Sequence, residues 1–157
     1  MALPFGREAC LVHCLGTAVG QSINDRRLDR MFFASSATGA FEESKKGIQK
    51  ITIRPVPNSG PIAVASVSHR DESTNNWLNS NHIKDTISIG SSLKFCLVAC
   101  GEADVYPRFG PTMEWDTAAG DAVLRSAGGK VLLPSGELFS YGKSNYRNSA
   151  FIAHGSF

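Results

Sequence analysis

Hydrophobic and polar positions change period several times along the chain, and each change marks an element. Residues 1–30 open on an apolar stretch and end in the charge-alternating run Asn24-Asp25-Arg26-Arg27-Leu28-Asp29-Arg30, where no core periodicity is legible. From residue 31 the pattern sharpens. Met31-Phe32-Phe33-Ala34 predicts a strand, and residues 49–54 predict another, with Ile51 and Ile53 alternating against Thr52 and Arg54. Pro55, Pro57, Asn58, Gly60 and Pro61 make the following link turn-rich. Ile62-Ala63-Val64-Ala65-Ser66-Val67 is apolar at almost every position, which predicts an interior strand buried on both faces.

That strand runs into Ser68-His69-Arg70-Asp71, where Asp71 or Ser73 can cap a short helix reaching Trp77 and Leu78. Ile87-Ser88-Ile89 predicts a strand, Gly90-Ser91-Ser92 a turn and cap, residues 93–100 a helix ended by Gly101, and residues 103–106 a further strand. The clearest helix spans 114–127, with Trp115, Ala118, Ala119, Ala122, Val123 and Ala127 on one face and Gly128-Gly129 as its stop. Strands over 130–133 and 149–153 close the chain. Strands alternating with helices make this an α/β layered domain.

Composition narrows the function. The 157 residues are 42% hydrophobic, enough for one domain with a real core. The net charge of +2 comes from 16 Lys and Arg scattered among 14 Asp and Glu, so no basic stripe for a nucleic-acid backbone exists, and no nucleic-acid partner is expected. No apolar run approaches the roughly 20 residues of a membrane span, and the stretch over 9–19 is broken by His13 and Gly16. Arg7 is followed at once by Glu8 with no small-residue cleavage site after it, so a cytoplasmic location is expected. Cys10, Cys14, Cys96 and Cys100 form two pairs with three residues between partners; on a helix each pair shares one face, which favours buried apolar thiols over zinc.

Four places carry candidate chemistry, each with a plainer alternative. Gly90-Ser91-Ser92-Leu93-Lys94 is an anion cradle or an ordinary serine cap beside a solvated lysine. Asp116 in the first turn of its helix is a hard-cation ligand or an acid that merely offsets the dipole. His69, where a buried strand ends, contacts a base or phosphate or is structural, and Arg108, just past the strand over 103–106, is a phosphate fork or a surface cation.

Taken together, Val67-Ser68-His69-Arg70-Asp71, Gly90-Ser91-Ser92-Leu93-Lys94-Phe95-Cys96, Ala103-Asp104-Val105-Tyr106-Pro107-Arg108 and Glu114-Trp115-Asp116-Thr117-Ala118-Ala119-Gly120 resemble the 3'(2'),5'-bisphosphate nucleotidases of the inositol monophosphatase superfamily. Gly39-Ala40-Phe41 and the tail through Tyr141-Gly142-Lys143 and Asn148 fit as well, so the resemblance covers residues 31–157 and leaves 1–30 as a divergent N-terminal segment. It implies the layered C-terminal half of the inositol monophosphatase-like sugar phosphatase fold. It implies a magnesium-dependent, lithium-sensitive phosphatase of sulfur metabolism that hydrolyses the 3'-phosphate of adenosine 3',5'-bisphosphate. It assigns nucleotide and phosphate binding to His69, Ser91, Ser92, Lys94 and Arg108, and a metal-ligand and substrate-site role to Asp116.

The family's Gly-Glu-Glu and Asp-Pro-Ile/Leu-Asp-Gly-Thr segments have no counterpart: the chain contains no Asp-Pro dipeptide, and Glu42-Glu43 lacks the glycine. No catalytic residue beyond the binding set is therefore assigned, and a missing N-terminal half or a partner chain is expected to supply the remaining ligands. Two other readings stay open: an inositol monophosphatase, and a nucleotide-binding remnant without turnover.

Overall fold

A computed structural model describes residues 9–15, 18–25, 29–66, 71–90 and 93–157, of which 9–25 in backbone only. Strands β1 (Ala9–Leu15), β2 (Ala18–Asp25), β3 (Arg30–Ser35), β4 (Gly39–Ser44) and β5 (Gly47–Ile51) form an antiparallel meander in that order. Phe32, Ala34 and Ala40 point into the core from its middle strands and are at most 4% exposed. Cys10 and Cys14 lie on β1. The helical spacing expected for that pair therefore does not apply.

The rest of the chain builds a second sheet and its helices: β6 (Ile62–Ala65), α1 (Glu72–Ser80), β7 (Asp85–Ser88), α2 (Leu93–Ala99), β8 (Val105–Arg108), β9 (Thr112–Met113), α3 (Glu114–Ser126), β10 (Lys130–Leu132), β11 (Arg147–Asn148) and β12 (Phe151–His154). The sheet order is β10-β12-β8-β6-β7, with β6 parallel to both β7 and β8 and β12 antiparallel to both β8 and β10. The short pair β9–β11 stands apart. Helices α2 and α3 pack on each other between the two sheets, α3 against β2, β3 and β4 and α2 against β6, β8 and β12. Helix α1 covers the outer face of the mixed sheet, where Leu78 and Ile83 join Ala63, Val105 and Ile152. Among the described residues no helix is long and apolar enough to cross a membrane.

Local chemistry explains the boundaries. Asp71 caps α1, its carboxylate accepting from the Thr74 amide at 2.7 Å. Gly101, at φ 76, turns the chain out of α2 in a conformation most side chains avoid. The strand expected over 49–54 ends at Ile51, because the Ile53 amide donates to the Ala127 carbonyl at the end of α3 and Arg54 forks onto Asp104 at 3.0 and 2.9 Å. The strand expected over 103–106 begins two residues later for a related reason. Ala103 still belongs to the α2 terminus, donating to the Leu97 carbonyl, and buried Asp104 accepts from Arg54 and from the Ile62 amide at 2.7 Å. Cys96 is buried in α2, while Cys100 lies just past its end, where burial pushes the thiol up to about 11.

The two helices touch through a missing side chain. A Cβ on Gly120 of α3 would lie 2.6 Å from Cδ2 of Phe95 on α2, so only glycine lets that ring settle between the layers. There Phe95 meets Tyr106 and Phe151 with centroids at 5.2 and 5.6 Å.

Candidate functional site

The three parallel strands deliver their carboxyl ends to one edge of the mixed sheet. Past β6 the described chain resumes at Asp71, past β7 comes Gly90 ahead of α2, and β8 ends on Arg108 itself. Open sheets bind ligands at this kind of edge. Residues 67–70 and 91–92, and with them His69, Ser91 and Ser92, lie outside the described residues.

Lys94 is not the solvated lysine of the plainer reading. It is 4% exposed, and its ammonium sits 5.4 Å from the centroid of the Tyr106 ring. A cation so placed gains from the ring's electron-rich face. Arg108 is the last residue of β8 rather than a cation beyond the strand, paired in register with Phe151. Its Nη2 donates to the Pro111 carbonyl at 3.2 Å, while its buried Nε finds no hydrogen-bond partner among the described residues. A buried guanidinium N–H without an acceptor is costly to keep, and an anion would satisfy it.

Two carboxylates flank these cations. Asp71 approaches Arg108 across Gly110: a Cβ there would meet Asp71 Oδ2 at 3.2 Å and Arg108 Cζ at 3.6 Å. Burial alone would raise the Asp71 carboxyl, but hydrogen bonds from Thr74 and the Arg108 charge outweigh it and hold it below the usual range. Asp116, exposed in the first turn of α3, accepts from the Met113 amide at 2.8 Å through Oδ2, which leaves Oδ1 for another partner. Burial lifts the Tyr106 phenol to about 12, Arg108 opposing and Asp116 adding to the shift, so all three groups share one electrostatic environment. Lys94 thus lies over the Tyr106 ring, and the charges of Arg108 and Asp116 both act on the Tyr106 phenol.

The start of α3 is held by a buried polar cluster. The Glu114 carboxylate accepts from the Gly142 and Lys143 amides at 3.1 and 3.0 Å and from Lys143 Nζ at 3.1 Å. Asn148 donates to Thr117 Oγ1 at 3.0 Å and to the Met113 carbonyl at 2.9 Å. This cluster and the roles of Asp71 and Tyr106 were not legible as site features. Asp71 reads as a cap and Tyr106 as a strand residue, and the Glu114–Lys143 pairing spans a separation that no local pattern displays. A buried polar network fixes geometry when each member is satisfied, and this one holds the first turn of α3 and with it Asp116.

Acid should loosen this architecture. Glu42 lies below the usual carboxylate range, because hydrogen bonds from Arg30 at 2.6 Å outweigh the effect of burial; Asp71 and Glu114 are also lowered, Glu114 chiefly by the Lys143 amide. On unfolding, each returns to about 4. Their stabilisation is therefore complete above that value and is lost as pH falls through the lower folded values. We expect the urea midpoint at about pH 3 to fall well below that at about pH 6; an unchanged midpoint would show that these contacts do not stabilise the fold.

Comparison with known proteins bears on the family and the fold. The model of the inositol monophosphatase family matches residues 10–155. A 3'(2'),5'-bisphosphate nucleotidase CysQ from Buchnera aphidicola is 40% identical over 126 residues, 78% of this chain and 47% of its own. The enzyme of that name from Salmonella typhimurium is 44% identical over 113 residues, 71% of this chain and 44% of its own. The chain spans about half the length of these curated relatives. The crystal structure of CysQ from Bacteroides thetaiotaomicron, described as a bacterial member of the inositol monophosphatase family, superposes with a TM-score of 0.78 at 33% identity, covering 90% of this chain and 59% of that one.

Proposed function

Because the chain belongs to the inositol monophosphatase family, we propose that it carries the phosphate- and nucleotide-binding part of a magnesium-dependent 3'(2'),5'-bisphosphate nucleotidase. The substrate in this reading is adenosine 3',5'-bisphosphate, whose 3'-phosphate is hydrolysed to leave AMP and phosphate in the cytoplasm. The observation that carries it is the buried Nε of Arg108 at the carboxyl end of β8, which has no acceptor among the described residues. Similarity to CysQ nucleotidases supports the choice of substrate class.

The chain's own groups account for binding and orientation. Lys94 offers a desolvated point charge to one phosphate oxygen, and Arg108 offers a donor whose Nε is already buried and in want of an acceptor. His69, Ser91 and Ser92 complete the nucleotide and phosphate contacts in this proposal. Asp116, rigid at the start of α3, is the metal-side carboxylate.

Magnesium would supply charge neutralisation and an activated water. The described residues do not fit a catalytic metal centre. Among them no three His, Cys, Asp or Glu side chains converge, and Asp116 has committed one oxygen to the Met113 amide. Magnesium asks for six oxygens in near-octahedral array and is usually held by one or two carboxylates plus substrate phosphates. No hydrolytic step follows from these residues by themselves.

Lys94→Ala tests the phosphate site. Removing a charge-assisted hydrogen bond of about 1.5–3 kcal/mol should weaken AMP binding roughly tenfold to a hundredfold by calorimetry. Unchanged affinity in a folded variant would remove Lys94 from the site.

A further inference from the structure

Strand β12 ends on a histidine whose surroundings disfavour its charged form. Phe151 and Ala153 face the helices between the sheets, so Ile152 and His154 face the outer side, where α1 lies. His154 stands in one row across the sheet, with Lys130 of β10 on one side and Val105 of β8 on the other. Its Nδ1 is buried and finds no hydrogen-bond partner among the described residues. A neutral ring leaves that nitrogen as an unused acceptor. The imidazolium would instead bury an N–H with nothing to receive it, one strand from an ammonium group.

The same ring holds the segment that follows. Phe157 stacks on His154 with centroids 6.0 Å apart and planes 17° from parallel, and it meets Trp77 of α1 edge-on at 6.1 Å. Trp77 and Phe157 both pack against the outer core of Ala63, Leu78, Ile83, Val105 and Ile152. Residues 155–157 therefore tie the end of β12 to the helix that covers the sheet.

We propose that 155–157 is a proton-sensitive strap: neutral His154 holds Phe157 against Trp77, and a proton on His154 releases it. The charges around the ring fit this role. Lys130 repels the proton from β10. On β8, Val105 is uncharged and the Asp104 carboxylate is taken by Arg54. The one charged residue of α1 is Glu72, in its first turn, and β7, which carries Asp85, is three strands from β12. None of these elements brings an acceptor to Nδ1. Burial, with Lys130 adding to it, keeps His154 below the usual histidine value, against a main-chain contact with Phe157 that works the other way. Once released, the ring returns to about 6.5. The open form thus binds the proton more tightly. The strap is at full strength above about pH 6.5 and weakens by up to about tenfold per pH unit below it, until the closed form is protonated as well.

Trp115→Phe leaves Trp77 as the only tryptophan for the test. Its emission is followed from about pH 8 to about pH 5, together with the ring proton signals of His154, assigned by their loss in His154→Phe. The emission maximum should move to the red as His154 titrates, with a midpoint below about 6.5 and an unchanged circular dichroism signal. His154→Phe keeps a flat face for Phe157 and takes up no proton, so its emission should hold the alkaline position throughout. His82, in the turn after α1, is retained in that variant and does not account for a difference. Phe157→Ala should show the red-shifted emission at every pH, and Lys130→Met should raise the His154 midpoint. Emission that stays fixed while His154 titrates overturns the strap, as does a shift that persists in His154→Phe. Loss of the circular dichroism signal over the same range would make the event unfolding of the domain and overturns it too. Should His154→Phe fail to fold, Phe157→Ala decides: a pH-dependent shift that survives without that ring refutes the strap.

Discussion

Phe95→Ala should cost about 3–5 kcal/mol of stability and lower the melting temperature by about 6–20 °C. The ring is 1% exposed and lies where α2, α3 and the mixed sheet meet. It stacks on Phe151 and meets Tyr106 edge-on, and Tyr106 packs against Phe151 in turn at 5.5 Å. Removing it leaves a cavity walled by the Gly120 backbone and by two rings fixed in strands, so little can collapse to fill the space. Gly120→Ala should also destabilise, because its new Cβ would meet Phe95 Cβ, Cγ and Cδ2 within 2.9 Å. The two changes share one space, and the combined variant should lose less than the sum of the singles, since the alanine methyl occupies part of the cavity. Thermal unfolding of all three variants checks this. Additive losses, or a shift under about 2 °C for Phe95→Ala, would show that the helix contact lies elsewhere.

The elements most legible in the sequence were those whose cause is local. Helix α3, read as 114–127, spans Glu114–Ser126, because its period is strong and Gly128 follows at φ 97. Strand β6 shows as an unbroken apolar run, and Asp71 announces α1 by its capping chemistry. Elements governed by distant partners were displaced or missed. The core-facing side of α3 is turned from the apolar reading toward Glu114, Thr117 and Asp121, each buried because Lys143, Asn148 or Arg125 satisfies it, and the turn leaves Trp115 in solvent. Strand β8 starts late because Asp104 is spoken for by Arg54, fifty positions away in the chain. Strands β9 and β11 have two residues each and so no period to detect.

The same distinction applies to the site. Residue types at Lys94, Arg108 and Asp116 suggested phosphate and metal chemistry, but their exposure is set by partners that the local sequence does not show. A lysine in the first turn of a short helix is ordinarily solvated, yet Lys94 is buried with its ammonium over the Tyr106 ring, twelve positions on. Arg108 gained weight once its Nε was found buried and in need of an acceptor among the described residues. Asp116 accepts from the Met113 amide through Oδ2 at the start of α3, a contact that its residue type alone does not announce.

Phosphate release from adenosine 3',5'-bisphosphate is expected to be negligible when the chain is assayed alone with magnesium. Hydrolysis of a phosphate monoester needs charge stabilisation on both the attacking and leaving oxygens, commonly from two ions roughly 4 Å apart. Asp116 supplies one free carboxylate oxygen, and neither Gly-Glu-Glu nor Asp-Pro-Ile/Leu-Asp-Gly-Thr occurs in the sequence to supply others. Magnesium should accordingly bind weakly, at about millimolar concentration, as expected where a hard cation finds few protein oxygens. Supplying the absent motifs reverses the expectation. An N-terminal segment of a related nucleotidase that bears both acidic motifs should restore lithium-sensitive release if it docks, and Asp116→Asn should then abolish the restored activity without changing the fold. The assay is phosphate production by the purified chain with and without that segment. Lithium-sensitive turnover at about 1 per second or faster by the chain alone would show that its own residues assemble a complete metal centre, and that one aspartate is not the limit of what they provide.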